Sequence, residues 1–132
     1  MRPYLLVAAL ALTGAAATPA SAAGCVATAD TPYSAGANVH GSGSYTCVTP
    51  AWRMEVTVCL ESLQPGDLGW QTETCSKAVA SDTASVSDDV WLCYLDGFAL
   101  IRTRVEGWSG NGESGGAISA PTFAPGAGSC GP

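Results

Sequence analysis

Apolar and polar residues alternate in the middle of the chain. Trp52, Met54, Val56, Val58 and Leu60 are separated by Arg53, Glu55, Thr57 and Cys59, with Glu61 following. A period of two predicts a half-buried β-strand, with Trp52 on its core side. Gln64-Pro65-Gly66-Asp67 then reads as a turn. The Thr-rich stretch from Gly69 to Ala80 reads as a second strand with weaker alternation. Farther on, two apolar runs, Val90 to Leu95 and Phe98 to Val105, flank Asp96-Gly97. Asp-Gly tolerates the positive φ of a type I′ turn, so the expectation is a hairpin. Its register sets Trp91 opposite Arg102, with Arg102 and Arg104 on one face.

Upstream, Val39 to Cys47 reads as a glycine-interrupted strand, and residues 81 to 89 as a short edge strand or a loop. Gly107 to Pro132 is rich in glycine, serine and proline. It predicts a loop, a last strand around Ile118 to Phe123, and a tail closed by Cys130. No window has the period of a helix, and there is no internal repeat. Short strands separated by turn signals predict an all-β fold, a small antiparallel β-sandwich stabilised by disulfides.

The first residues have a different character. Arg2 precedes an apolar run from Leu5 to Leu12, and Ala20-Ser21-Ala22 follows. This is the layout of a secretory signal peptide with a small-residue cleavage site. Residues 1 to 22 are therefore expected to be removed. Residues 23 to 132 remain as a single disulfide-bonded β domain with a Gly/Ser/Pro-rich C-terminal segment. The apolar run is shorter than the roughly 20 residues a membrane span needs. Ala22-Ala23-Gly24-Cys25 loosely matches a lipobox, an alternative in which Cys25 would be acylated.

All six cysteines, Cys25, Cys47, Cys59, Cys75, Cys93 and Cys130, follow the expected cleavage site. An even number in an exported chain reads as three disulfides of undetermined pairing. Zinc sites favour close C-x-x-C pairs, which are absent, and His40 is the single histidine, so no metal or other cofactor is expected. The formal net charge is −6, and loss of Arg2 with the signal makes the remainder more acidic still. Nucleic acids and anionic lipids need a basic footprint. The expected partner is another secreted protein, with no nucleic acid and no membrane once the signal is cleaved.

Catalytic chemistry is sparse, and no catalytic residue is assigned. A Ser-His-Asp triad would have to use His40, and no G-x-S-x-G elbow is present. Asp88 and Asp89 are adjacent, and on a strand neighbours point to opposite faces. The glycine-rich run from Ser109 to Gly116 lacks the lysine of a phosphate-binding loop. The four tryptophans, Trp52, Trp70, Trp91 and Trp108, are more telling. Trp and Arg dominate the energetics of protein interfaces. Trp91 shares the expected hairpin face with Arg102, and Trp108 borders the glycine-rich run. Trp91, Arg102, Arg104 and Trp108 are therefore the candidate partner-binding residues.

Gly43-Ser44-Tyr45-Thr46-Cys47, Val56-Thr57-Val58-Cys59-Leu60, and Cys93 before Ile101-Arg102-Thr103-Arg104-Val105 resemble a group of small exported proteins of actinobacteria. Some proteins of that general type are β-sandwich adaptor subunits of secreted toxin particles. The resemblance implies binding without catalysis and an extended N-terminal segment, here Ala23 to about Val39. Cys47-Val48-Thr49, Trp52-Arg53 and Leu92-Cys93-Tyr94 resemble the α-amylase inhibitors of the tendamistat type. In that family a Trp-Arg-Tyr triplet on a turn enters the enzyme. Here Met54 is the third residue, so the resemblance extends to the fold and not to that contact.

The leading expectation is a secreted, extracellular, non-enzymatic protein-binding module, of the kind that serves as an adaptor in an extracellular complex. The alternatives are a proteinaceous hydrolase inhibitor and a carbohydrate-binding module. An adaptor should show an apolar patch or an unpaired strand edge. An inhibitor should show a protruding loop braced by a disulfide, and a sugar binder coplanar exposed aromatic rings.

Overall fold

The structure, a computed structural model, describes residues 24–36, 38–93 and 99–124. The expected signal peptide, the Asp96-Gly97 turn and Cys130 lie outside the described residues. Seven strands follow in order: β1 (Cys25–Ala29), β2 (Tyr33–Ala35), β3 (Asn38–Leu63), β4 (Trp70–Cys93), β5 (Ala99–Ser109), β6 (Ser114–Ile118) and β7 (Thr122–Ala124). All pairings are antiparallel. The expected all-β, disulfide-bonded class is what the chain adopts. Its strands do not form two separate sheets, however. They share one sheet that curls into a half-barrel.

The reason lies in β3 and β4, which run for 26 and 24 residues. They are paired from Leu63↔Trp70, beside the turn, to Asn38↔Cys93 at the far end. A register shift between Thr46 and Ala51 marks where the pair bends. Before the bend, β3 has β1 and β2 on its other side. After it, β5 takes that side, with β6 and β7 beyond. The two halves of the bent sheet face one another. A Cβ on Gly43 would lie 2.2 Å from a methyl of Val105, and one on Gly107 would lie 2.2 Å from the Tyr45 ring. Large side chains of each half thus fit against glycines of the other, which is how such close layers reach interior packing density.

The core lies between the halves. Val39, Tyr45 and Cys47 point inward from the first half, and Met54, Val56, Val58 and Leu60 from the second, joined by Ile101 and Val105. The inward positions are odd-numbered before the bend and even-numbered after it. Ala51 holds the last odd inward position and Met54 the first even one. Trp52 falls where the alternation changes phase. It is 61% exposed instead of sitting in the core, contrary to the sequence expectation.

The expected hairpin of Trp91 against Arg102 is also replaced. Over the described residues β4 and β5 do not pair with each other, because β3 lies between them. Trp91 is opposite His40, and Arg102 is opposite Glu61. Strands that are long enough to bend around the core satisfy both of their apolar runs against a third strand, which a local turn signal does not reveal. Residues 81 to 89, expected as a separate edge strand or loop, are the middle of β4. The glycine-rich run is interrupted by β6, whose Gly115 is opposite Gly107.

Two disulfides staple neighbouring strands. Cys25–Cys47 joins β1 to β3, and Cys59–Cys75 joins β3 to β4. Cys93 is also disulfide-bonded. The bond at Cys25 occupies the sulfur that a lipoprotein would acylate. The same bond, with β1 and β2 paired to β3, makes the segment after Ala23 part of the sheet instead of a free extension. Two such pairs among the described residues fit an oxidising, extracytoplasmic setting.

Candidate functional site: exposed aromatics on the outer faces

Each half of the sheet turns an outer face to solvent. On the second half, β3 presents Arg53, Glu55, Thr57, Cys59 and Glu61 between Lys77 of β4 and Arg102, Arg104 and Glu106 of β5. Glu61 is only 6% exposed. Its two carboxylate oxygens accept hydrogen bonds from Arg102 Nε at 2.8 Å and Arg104 Nε at 2.7 Å. Burial alone would push the Glu61 carboxyl up. The hydrogen bonds and charges of the two guanidiniums outweigh that and hold it below the usual carboxylate range. Arg102 also lies over the Trp70 ring, 4.1 Å from its centroid, and Arg104 bonds Glu106. At the other end Glu55 is held below its ordinary pKa by hydrogen bonds from Lys77 and Arg53.

The four candidate partner-binding residues therefore occupy three places. Arg102 and Arg104 come together, but around Glu61, where their charge is already matched. Trp91 lies on the outer face of the first half. It completes a cross-strand row with His40 and Tyr33. The Tyr33 and His40 rings are stacked, with centroids 5.2 Å apart and planes at 13°.

Trp108 meets a residue that the sequence had placed in the core. Trp52 approaches it edge-on, with ring centroids 6.1 Å apart and planes at 87°. The Trp52 indole Nε1 donates to the Gly110 carbonyl at 3.1 Å. A Cβ at Gly110 would lie 2.3 Å from that nitrogen, so the turn can approach the ring only because it has a glycine there. Asn111 Nδ2 donates to the Pro50 carbonyl and ties the same turn to the bend. Trp108 is 38% exposed, and exposed Val48 lies on the same bend. Two large aromatic rings are thus held in one arrangement at the surface, at the corner of the molecule.

Sequence reasoning missed Trp52 because an uninterrupted period of two pointed it inward. The usable signal was Pro50, two residues upstream, since proline within a strand pattern marks an irregularity or an edge. Other chemistry is thin. Among the described residues no group of three or more His, Cys, Asp or Glu side chains is placed to hold a metal. A shallow, open depression of about 360 Å³ lies over Glu106, Gly107, Ser114, Gly115 and Gly116. The described residues contain no helix long and apolar enough to cross a membrane. No family model matches the chain, and no curated protein matches it.

Proposed function

We propose that this is a secreted, non-enzymatic protein-binding module, suited to an adaptor role, whose contact is centred on the Trp52–Trp108 corner. The observation that carries this reading is the exposure of two tryptophans already fixed by a ring contact and a backbone hydrogen bond. A preordered aromatic anchor loses little side-chain entropy on binding, which is what makes tryptophan a dominant interface residue. The perpendicular rings suit an apolar side-chain pocket better than the flat face of a sugar.

The experiment is a pull-down of the tagged mature protein from the producer's culture filtrate, without reductant, beside the double variant Trp52→Ala/Trp108→Ala. A stoichiometric exported protein retained by the wild type and lost by the variant supports the reading. Equal retention by both removes the corner from the contact.

A second reading, hydrolase inhibition, is favoured by the tip of the β3–β4 hairpin. Gln64 N–H donates to the Gly69 carbonyl, Leu68 at the tip is exposed, and Cys59–Cys75 braces the hairpin stem. Inhibition of an amylase or protease that is abolished by Leu68→Asp, and unaffected by the corner variant, would favour this reading over the first.

A further inference from the structure

Strand β4 is hydrogen-bonded along one side only: over its 24 residues it pairs with β3 and with no other described strand. Among the described residues its other side is a row of backbone donors and acceptors with no strand partner, an edge that natural proteins normally blunt or cover. The side chains along it are mostly small, Ser76, Ala78, Ala80, Ser81, Ser85 and Ser87, so another backbone can come close.

We infer that this edge is covered by a second copy of the chain, β4 against β4 about a two-fold axis at Thr83. The inference goes beyond the corner reading and does not depend on it. The argument is one of register. In an antiparallel pair related by a two-fold axis, residues equally far on either side of the axis face one another across the interface. With Thr83 on the axis, Lys77 of each copy faces Asp89 of the other. Lys77 is the single cation on β4. Asp89 makes no ion pair with any described residue. Both positions are exposed and odd-numbered, and odd residues point outward in both halves of β4. The two side chains of each rung therefore emerge on the same face.

The other outer rungs are compatible. Cys75 faces Trp91, Val79 faces Ser87, and Ser81 faces Ser85; no rung between residues 75 and 91 opposes like charges. Trp91, 60% exposed in the single chain, would cover the exposed Cys75 end of the Cys59–Cys75 bridge. The local irregularity of β4 at Asp82, where φ is 52°, falls beside the axis in both copies, opposite the small Ala84 of the other copy. The axis runs normal to the sheet, so both concave sides stay on one side and the curl continues across the join. Three strand spacings, about 14 Å, then separate the two β3 strands at the bend. The Trp52 corners of the two copies would be presented together.

The test is the mass of the mature, oxidised protein in solution, by light scattering over a concentration series from about 1 µM to about 1 mM. The probes are Lys77→Glu, Asp89→Lys and the charge swap carrying both. The expected result is a concentration-dependent dimer. Its dissociation constant rises about tenfold or more in either single variant and returns toward wild type in the swap. Asp89→Lys is the cleaner single variant, because Lys77 also bonds Glu55 within its own chain. A monomer at every concentration overturns the inference. So does a dimer that both single variants leave intact, or one that the swap does not rescue. Equal partner retention by the wild type and the Trp52→Ala/Trp108→Ala variant, with the dimer intact, would overturn the corner reading alone.

Discussion

The two halves of the sheet share β3 and β4, yet they handle charge in opposite ways. Behind the bend, the outer face carries Arg53, Lys77, Arg102 and Arg104, and every one is bonded to a glutamate of the same face. Ahead of the bend there is no lysine or arginine among the described residues. There, Asp30 accepts a hydrogen bond from Ser42, Asp89 makes no ion pair with a described residue, and Tyr33, His40 and Trp91 form an aromatic row. The second half is electrostatically closed within one chain; the first half leaves its chemistry open to something outside it. A residue type common at interfaces is therefore a poor guide until its partners are known. Arg102 and Arg104 are spoken for by Glu61, whereas Trp52 and Trp91 are not covered.

The comparison can be broken at the seam between the halves. Tyr45 is fully buried and rests on Gly107 across the core. Tyr45→Ala should cost roughly 3–5 kcal/mol, the range for emptying a large aromatic site, read as a lower urea midpoint. A change near zero would mean that the halves do not depend on each other. Next in size is Glu61→Gln, which leaves two guanidiniums without their shared carboxylate. It should cost about 3 kcal/mol, while Asp89→Asn should stay within about 0.5 kcal/mol. Equal costs would erase the distinction between a closed and an open face.

Acid should sharpen the same contrast. The Glu61 carboxyl has a lowered pKa in the folded chain. Its stabilisation is therefore complete above the ordinary carboxylate pKa and is lost as the pH falls through the lowered folded value. Thermal unfolding followed over that acid range should show a smaller loss for Glu61→Gln than for the wild type. A smaller effect belongs to the Tyr45 hydroxyl, which is buried with no hydrogen-bond partner among the described residues. Burial raises its pKa, and Glu113 adds to that. Tyr45→Phe removes an unsatisfied polar group and should be neutral or stabilising by up to about 1 kcal/mol. A marked destabilisation would reveal a partner for that oxygen. Smallest of all, Trp52→Ala should leave the unfolding midpoint nearly unchanged, since the ring is mostly in solvent; its effect should appear in binding.

The second half was the legible one. Met54 to Leu60 keeps a strict alternation of aliphatic and polar residues, and that pattern placed both the strand and its buried face correctly. The first half was harder, because Gly41 and Gly43 occupy inward positions without supplying an apolar side chain to mark them. What makes them buried is Leu60 and Val105 on the opposite half, a relation that is not local in sequence. The expected pairing of Trp91 with Arg102 was misplaced for a similar reason. The Asp96-Gly97 signal suggested direct pairing of its flanks, but both flanks had a better partner in β3. Cysteine number and export signal pointed to disulfides, and the pairs Cys25–Cys47 and Cys59–Cys75 follow from register once the strands are placed. Pairing was beyond reach before that.

The change of phase between Ala51 and Met54 also limits how this chain can vary in length. Inserting or deleting one residue between Cys47 and Ala51 would move one half by a single step relative to the other, and a single step exchanges the two faces of a strand. The charged ladder or the acidic face would then be turned into the core. Changes of two residues preserve the facing and alter only the reach of the bend. The corner that exposes Trp52 thus acts as a parity lock, and relatives of this chain should differ there by even numbers of residues.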